Sequence, residues 1–394
     1  MTAPTKEQVR PTAGSHFLGS ERRPSRRWMI VFSTLLTVTV VAGAVLAYVG
    51  VETVRTSRAG KSVSTVSDPT QPGFEAFLEP TPTLLLIHAS GTRLISVAVL
   101  ALNSGDAGGS VLVVPPDTRL DSSAGADSLG GLAAFLQSPT AMVTGLRSLI
   151  GIGVSEVIVV DDARWAELVA PVAPLTLQNP DTVGEFPAGP LTLEADQVGP
   201  YLDARAEGES ELARPFRQQL FFEAWADAVA ASSAAAPVPG EVESGIGRFM
   251  RGVANGPRQI ATLPVVESIV DSQYGELPRL DVDAEGAQEL IASLVPFPTS
   301  ATPGGRVRVR LLDGEGDPEH VLRVAPLVVP AGTEIVVVGN ADAFDYETTE
   351  IRYHHPTLRS AAEDIRDALG TGRVIDDPRQ TDAFDVTIVL GTDV

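Results

Sequence analysis

Three apolar runs, TLLLIHA (83–89), SVAVLAL (96–102) and SVLVVP (110–115), have almost no polar residue alternating within them. Short continuous runs with β-branched content, broken by Gly, Ser and Asn, predict strands buried on both faces of a sheet. GLAAFL (131–136) and AMVTGLRSLIG (141–151) change to helical spacing, EVIVV (156–160) returns to a strand pattern, and ARWAELVAPV (163–172) is helical again. This alternation predicts a layered α/β domain. A longer helix is expected in ELARPFRQQLFFEAWADAVAA (211–231), where Leu220, Phe221, Trp225 and Val229 fall on one broad face. The Pro- and Gly-containing SSAAAPVPG (232–240) should end it. A further helix is expected at AEGAQELIASLV (284–295).

FPTSATPGG (297–305) breaks the pattern with two prolines and paired glycines, as a domain boundary does. Beyond it the spacing predicts a smaller α/β unit over 302–394. Strands are expected at 306–312, 334–339, 350–354, 372–376 and 385–391, with helices at about 318–329 and 357–369. Pro326 and Pro330 should keep the first helix short or kinked.

The N-terminal part is of a different kind. Trp28 to Gly50 is a stretch of 23 residues without a single charge. As a helix it would extend about 34 Å at 1.5 Å per residue, enough to cross a hydrocarbon core with some tilt. It is longer than a signal-peptide core, and bulky Tyr48 and Val49 close it in place of a small-residue cleavage site, so an uncleaved membrane helix is expected. Arg22, Arg23, Arg26 and Arg27 abut its N-terminal side only. The positive-inside rule then puts residues 1–27 in the cytoplasm as a short disordered tail and residues 51–394 outside the cytoplasmic membrane. Residues 51–80, polar and turn-rich, read as a stalk, and 81–298 as the larger domain.

Charge sharpens this division. The whole chain carries −21. Residues 1–27 carry +4 and 28–50 none, which leaves −25 for the rest. A chain so acidic is not a phosphate-tracking nucleic-acid binder. It has no cysteine, which excludes disulfides, thiolate metal sites and cysteine nucleophiles. His354 and His355 are adjacent and cannot chelate a metal from one strand face. Nothing in 306–394 has the pattern of an active site.

Several segments together resemble the LytR–CpsA–Psr family of bacterial cell-wall proteins, followed by a LytR C-terminal-type domain. LLDGEG (311–316), VVVGNA (336–341), TTEIRY (348–353), AAEDIRDALG (361–370) and DVTIVLGTDV (385–394) follow that domain's order. In the larger domain VVPPDT (113–118) is similar to the family's strand end "SIPRDT". GPLTLEADQVGPYLDAR (189–205) looks like "G…L-G-QALAYVRSR", and ELARPFRQQ (211–219) like "D-x-x-R-x-x-RQQ". The resemblance covers most of residues 83–394.

It implies transfer of a glycopolymer phosphate from a polyprenyl-pyrophosphate carrier onto peptidoglycan. Arginine forks would hold the pyrophosphate, and carboxylates a magnesium ion. Carried over by residue, Arg205, Arg214, Arg217 and Gln218 become pyrophosphate candidates and Asp117 a magnesium candidate. Pro116 and Asp203 stand where the family motifs have arginine. HASGTRLISVAVL (88–100) stands where the family has a metal-binding aspartate, and no carboxylate lies between Glu79 and Asp106.

The bland alternatives differ. The arginines would be surface ion-pair partners, Asp117 a turn former, His88 a strand-end residue with its hydrogen bonds met, and Trp165 and Trp225 core. Asp376 and Asp377 before Pro378 would form a turn.

Two functions follow. The first is a membrane-anchored, wall-facing accessory or binding protein of cell-wall glycopolymer assembly, with a degenerate polyprenyl-pyrophosphate site and polyprenyl-linked glycan or peptidoglycan as partner. The alternative is an active phosphotransferase, which would need Mg2+. Transcriptional regulation finds no support in a cytoplasmic part of 27 residues.

Overall fold

The structure is a computed structural model and describes residues 66–120, 127–132, 139–241, 243–272, 275–317, 319–378 and 383–394. The expected tail, the membrane helix at 28–50 and the first part of the stalk lie outside these residues. Among the described residues no helix is long and apolar enough to cross a membrane.

The larger domain is built on a five-stranded mixed sheet. Its strands are β2 (Thr83–Ser90), β3 (Arg93–Leu102), β4 (Gly109–Val114), β5 (Glu156–Val160) and β8 (Arg258–Thr262), in the order β5-β2-β3-β4-β8. The sequence of the central strands explains their burial. Leu84, Leu86, Ala98, Leu100, Val111 and Val113 enter one apolar core, while Leu85, Ile87, Val97, Val99, Leu112 and Val114 enter the other. Period-two alternation sends neighbours to opposite faces, and both faces are covered, so the strands read as unbroken apolar runs.

Helices supply the cover. A short α1 (Leu129–Leu132) precedes α2 (Pro139–Ile150), and α3 (Asp162–Val169), α4 (Val198–Asp203), α5 (Ala213–Ala231), α6 (Gly245–Ala254) and α7 (Ala284–Leu294) follow. The Asp161 side chain caps α3 by accepting from Arg164 N at 2.8 Å. Trp165 of α3 and Phe221, Phe222 and Trp225 of α5 meet edge-on and stacked against the first core. Trp165 and Trp225 are fully buried. Two antiparallel hairpins complete the domain: β6 (Leu175–Asn179) with β7 (Gly189–Leu193), and β9 (Val265–Ser272) with β10 (Gly275–Val282).

The smaller domain follows its predicted pattern closely. Its strands are β11 (Val307–Asp313), β12 (Thr333–Asn340), β13 (Glu350–Tyr353), β14 (Arg373–Asp376) and β15 (Val386–Leu390). Its helices are α8 (His320–Val328) and α9 (Arg359–Leu369). Pro326 lies inside α8, which gives way at Val329–Ala331 to a 3-10 turn. Proline has no N–H to bond back to the preceding turn, so the short helix is expected chemistry.

A sixth strand in this sheet comes from the N-terminal side. Strand β1 (Glu75–Phe77), placed by sequence within the stalk, pairs antiparallel with β12 along the edge of the order β1-β12-β11-β15-β13-β14. Main-chain bonds extend the pairing both ways, from Gly73 N to Ala341 O (2.8 Å) and from Leu78 N to Val336 O (3.1 Å). Gly339 makes this approach possible, since a Cβ there would stand 2.0 Å from Phe74 O. Glu75 also pairs with Arg310 of β11.

Nor is 297–305 a free linker. Ser300 bridges Ile152, Gly153 N donates to Thr299 O (2.8 Å), and Thr81 N donates to Phe297 O (2.9 Å). Two prolines and two glycines give the segment its turns, but both domains bond its backbone, Ser300 N donating to Glu334 at 2.9 Å.

Candidate functional site

The site begins where β4 ends. Pro115 to Thr118 form a turn in which Thr118 N and Oγ1 both donate to Pro115 O, at 3.1 and 2.7 Å. This turn presents Asp117, the role sequence chemistry gives an Asp at a strand end. Opposite it, the segment after α4 carries Arg205, and the first turn of α5 carries Arg214, with Glu211 just before the helix.

These four side chains meet. Arg205 Nη2 lies 3.3 Å from Asp117 Oδ2 and also pairs with Glu211. Arg214 Nη2 lies 3.5 Å from the same Asp117 oxygen. Arg214 is only 5% exposed, and its Nε has no hydrogen-bond partner. Burial pulls its pKa down, and the neighbouring Arg205 adds to this, while Asp117, Asp203 and Glu211 act in the other direction. Burial and the adjoining Asp117 together hold the Glu211 carboxyl above the usual glutamate range, against the pull of Arg205. Asp117 and Glu211 are therefore neighbouring carboxylates between two guanidinium groups.

Arg217 and Gln218 do not join this cluster. Arg217, 1% exposed, places its fork on Glu209 (Nη1–Oε2 2.9 Å, Nη2–Oε1 3.0 Å) and donates to Ala204 O at 2.7 Å. Burial would raise the Glu209 pKa, but the bonds from Arg217 and from Ala206 N outweigh it and hold the group low. Gln218 is fully buried, and its Nε2 donates to Ile95 O (3.2 Å) and Leu202 O (3.1 Å). A side-chain amide has two N–H donors, so none remains for a ligand. Both residues brace the segment that carries Arg205.

Two further participants escaped the sequence reading. Arg93, at the start of β3, makes a two-pronged pair with Asp203 at the end of α4. A cation therefore stands against the carboxylate that replaces the family's arginine. The only signal was the opposite charge of two residues far apart in the chain. His88 is fully buried, with Nε2 2.8 Å from Asp162 Oδ1 and its ring edge-on to Trp165. Its Nδ1 has no partner, so the expectation of satisfied hydrogen bonds holds for one nitrogen only. Burial lowers its pKa despite Asp162. Gly199 of α4 packs on that carboxylate, since a Cβ there would stand 2.5 Å from Asp162 Oδ1.

Electrostatically the site is balanced. Arg93, Arg205, Arg214 and Arg217 face Asp117, Asp203, Glu209 and Glu211, so each guanidinium already has a carboxylate of its own chain. As a magnesium site the set is poor. The pair Asp117 and Glu211 is engaged by Arg205, and no cluster of three or more acidic or histidine ligands occurs among the described residues. Magnesium favours six oxygen ligands and is repelled by adjacent guanidinium groups.

Residues 306–393 match the family model described as LytR cell envelope-related transcriptional attenuator. No curated protein matches the chain. Among solved structures, the Lin1025 protein from Listeria innocua is 17% identical, covering 55% of this chain and 98% of its own at a TM-score of 0.41. TagV from B. subtilis is 16% identical over 55% of this chain and 96% of its own, with a TM-score of 0.46. TagT from B. subtilis is 14% identical over 59% and 95%, with a TM-score of 0.43. TagT has also been solved bound to LIIa-WTA. The resemblance stated from the sequence is borne out where a family model tests it: residues 306–393 are a LytR C-terminal-type domain.

Proposed function

We propose that this chain is a LytR–CpsA–Psr-type protein, anchored by residues 28–50 with residues 51–394 facing the cell wall. In this reading it binds polyprenyl-pyrophosphate-linked glycan through a degenerate form of the family's phosphotransfer site. The observation that carries the reading is the Arg205–Arg214–Asp117–Glu211 cluster. A buried guanidinium with an unbonded Nε is expensive unless an anion completes its shell. A pyrophosphate oxygen is such an anion, and a fork binds it in two prongs.

The same cluster supports binding without turnover. Asp117 and Glu211 occupy the arginines that would hold the phosphate oxygens, so an incoming pyrophosphate must displace its own chain's carboxylates. Displacement needs no new residue and no metal, but it weakens binding. The resemblance stated from the sequence gives the substrate class: a polyprenyl-pyrophosphate-linked glycan.

A turnover assay on the full chain in membranes, with a polyprenyl-pyrophosphate-linked glycan, peptidoglycan and magnesium, tests the proposal. Retention of the lipid-linked glycan without release of the carrier is expected, with retention lost in Arg214→Ala. Sustained transfer that disappears in Arg214→Ala would establish the phosphotransferase in its place.

A further inference from the structure

A cleft of about 640 Å³ opens where the two domains meet, with Arg119 and Leu120, just after Asp117 of the arginine cluster, on its wall. Its walls mix apolar side chains, Leu149 and Ile150 from α2, Ala287 and Ile291 from α7 and Val329 from the C-terminal domain, with the polar Ser148 and Gln288. One half-buried cation interrupts them. Arg306 donates from Nε to Gly151 O (3.0 Å) and from Nη1 to Val329 O (3.2 Å) and Thr333 O (3.0 Å). Three carbonyls thus hold the guanidinium in place across the domain junction. Its Nη2 has no hydrogen-bond partner among the described residues, yet it is not sealed from solvent.

No carboxylate among the described residues forms an ion pair with Arg306. Glu334 acts on it only from beyond ion-pair reach and accepts from Ser300 N instead. The other charges on the cleft, Arg119 and Asp281, answer each other at 3.3 Å. The cleft therefore holds one guanidinium without an ion-pair partner among the described residues, in a chain of −21. Among the described residues most arginines pair with a carboxylate, whereas Arg251, like Arg306, is held by main-chain carbonyls. A half-buried guanidinium with an unbonded Nη2, set beside aliphatic side chains in a cavity of ligand size, can receive an anion carrying an apolar chain.

We propose that this interdomain cleft is a second ligand site, taking a small anionic amphiphile. Its phosphate or carboxylate head would meet Arg306 Nη2, and its alkyl chain would lie along Leu149, Ile150 and Ile291. Because Arg306 joins residues of both domains, an occupied cleft also fastens the C-terminal domain to the larger one, and binding raises stability by mass action.

Hexyl phosphate and hexanoate are titrated into the full chain carrying Arg214→Ala, in phosphatidylcholine nanodiscs, with empty nanodiscs as reference. The Arg214→Ala background disables the pyrophosphate cluster, so a failure here is separate from a failure there. Saturable binding of at least one anionic probe is expected, at least tenfold tighter than that of hexanol or inorganic phosphate. Arg306→Ala should lose it at least tenfold. Because Arg306 also braces the domain junction, Ala284→Trp provides a second variant: Ala284 is an exposed residue of the cleft wall, and an indole there fills the space while leaving Arg306 intact. It too should lose binding at least tenfold. No saturable binding of either anion, binding of hexanol or inorganic phosphate equal to that of the anionic probes, or unchanged binding in Ala284→Trp would overturn the proposal.

Discussion

Arg214 holds Nη2 3.5 Å from Oδ2 of Asp117, and Arg205 reaches that same oxygen at 3.3 Å. One carboxylate oxygen thus sits between two guanidinium groups, one buried and one half-exposed. It is the position a phosphate oxygen would take in a cluster of this kind. The protein supplies its own anion there, and the charge balance of the site follows from that arrangement.

The Asp117–Glu211 contact should be visible in a titration. Burial and Asp117 raise the folded-state pKa of Glu211 above the ordinary value. A raised pKa means that the folded state keeps its proton longer than the unfolded one. This contribution to stability is complete below the ordinary glutamate pKa and is lost as pH rises through the raised value. Glu209 runs the other way: its lowered pKa gives stability that is present above the ordinary value and lost as pH falls through the lowered one. Carbon-detected NMR should place the Glu211 carboxyl midpoint above that of Glu209. The reverse order would show that the two carboxylates of the cluster do not interact.

The strand β1 should matter to the C-terminal domain. Glu75→Ala leaves the largely buried Arg310 without its carboxylate, a loss of order 2 kcal/mol, less than for a fully buried pair. Denaturant unfolding of the full chain checks the value. Residues 302–394 expressed alone should still unfold cooperatively, and a peptide spanning 68–79 should raise their melting temperature by covering the β12 edge. A melting temperature indifferent to the peptide would show that the edge needs no cover.

Topology is independently testable. The uncharged span and its one-sided arginines predict that a reporter fused after Val394 behaves as an exported protein. Cytoplasmic activity of that reporter would sink the wall-facing reading.

Much of the fold was legible because burial leaves a mark on sequence. Strands β2 to β4 are covered on both faces and show as unbroken apolar runs. Helix α5 shows its apolar face through Phe221, Trp225 and Val229. Strand β1 left no such mark: three residues, Glu-Ala-Phe, cannot display a period, and their partner β12 lies far along the chain. The β6–β7 hairpin does alternate, with Leu175, Leu177, Leu191 and Leu193 inward, but each strand is only five residues long.

In the site, motif spacing located Asp117, Arg205 and Arg214. It also gathered Arg217 and Gln218, which the fold turns toward Glu209 and the main chain. Arg93 stayed hidden, because the segment around it was notable only for its missing carboxylates. Which carboxylate faces which arginine depends on tertiary approach, and local sequence does not carry that.

The account rests on the claim that Asp117 and Glu211 compete with a pyrophosphate for Arg205 and Arg214. Calorimetric titration of farnesyl pyrophosphate into the full chain, wild type against Asp117→Asn with Glu211→Gln, tests it most directly. If the carboxylates are competitors, the double variant binds about tenfold tighter, a gain of about 1.4 kcal/mol. Binding that is unchanged or weaker in the double variant, with magnesium present, would contradict the account and mark the two carboxylates as working parts of a phosphotransfer site.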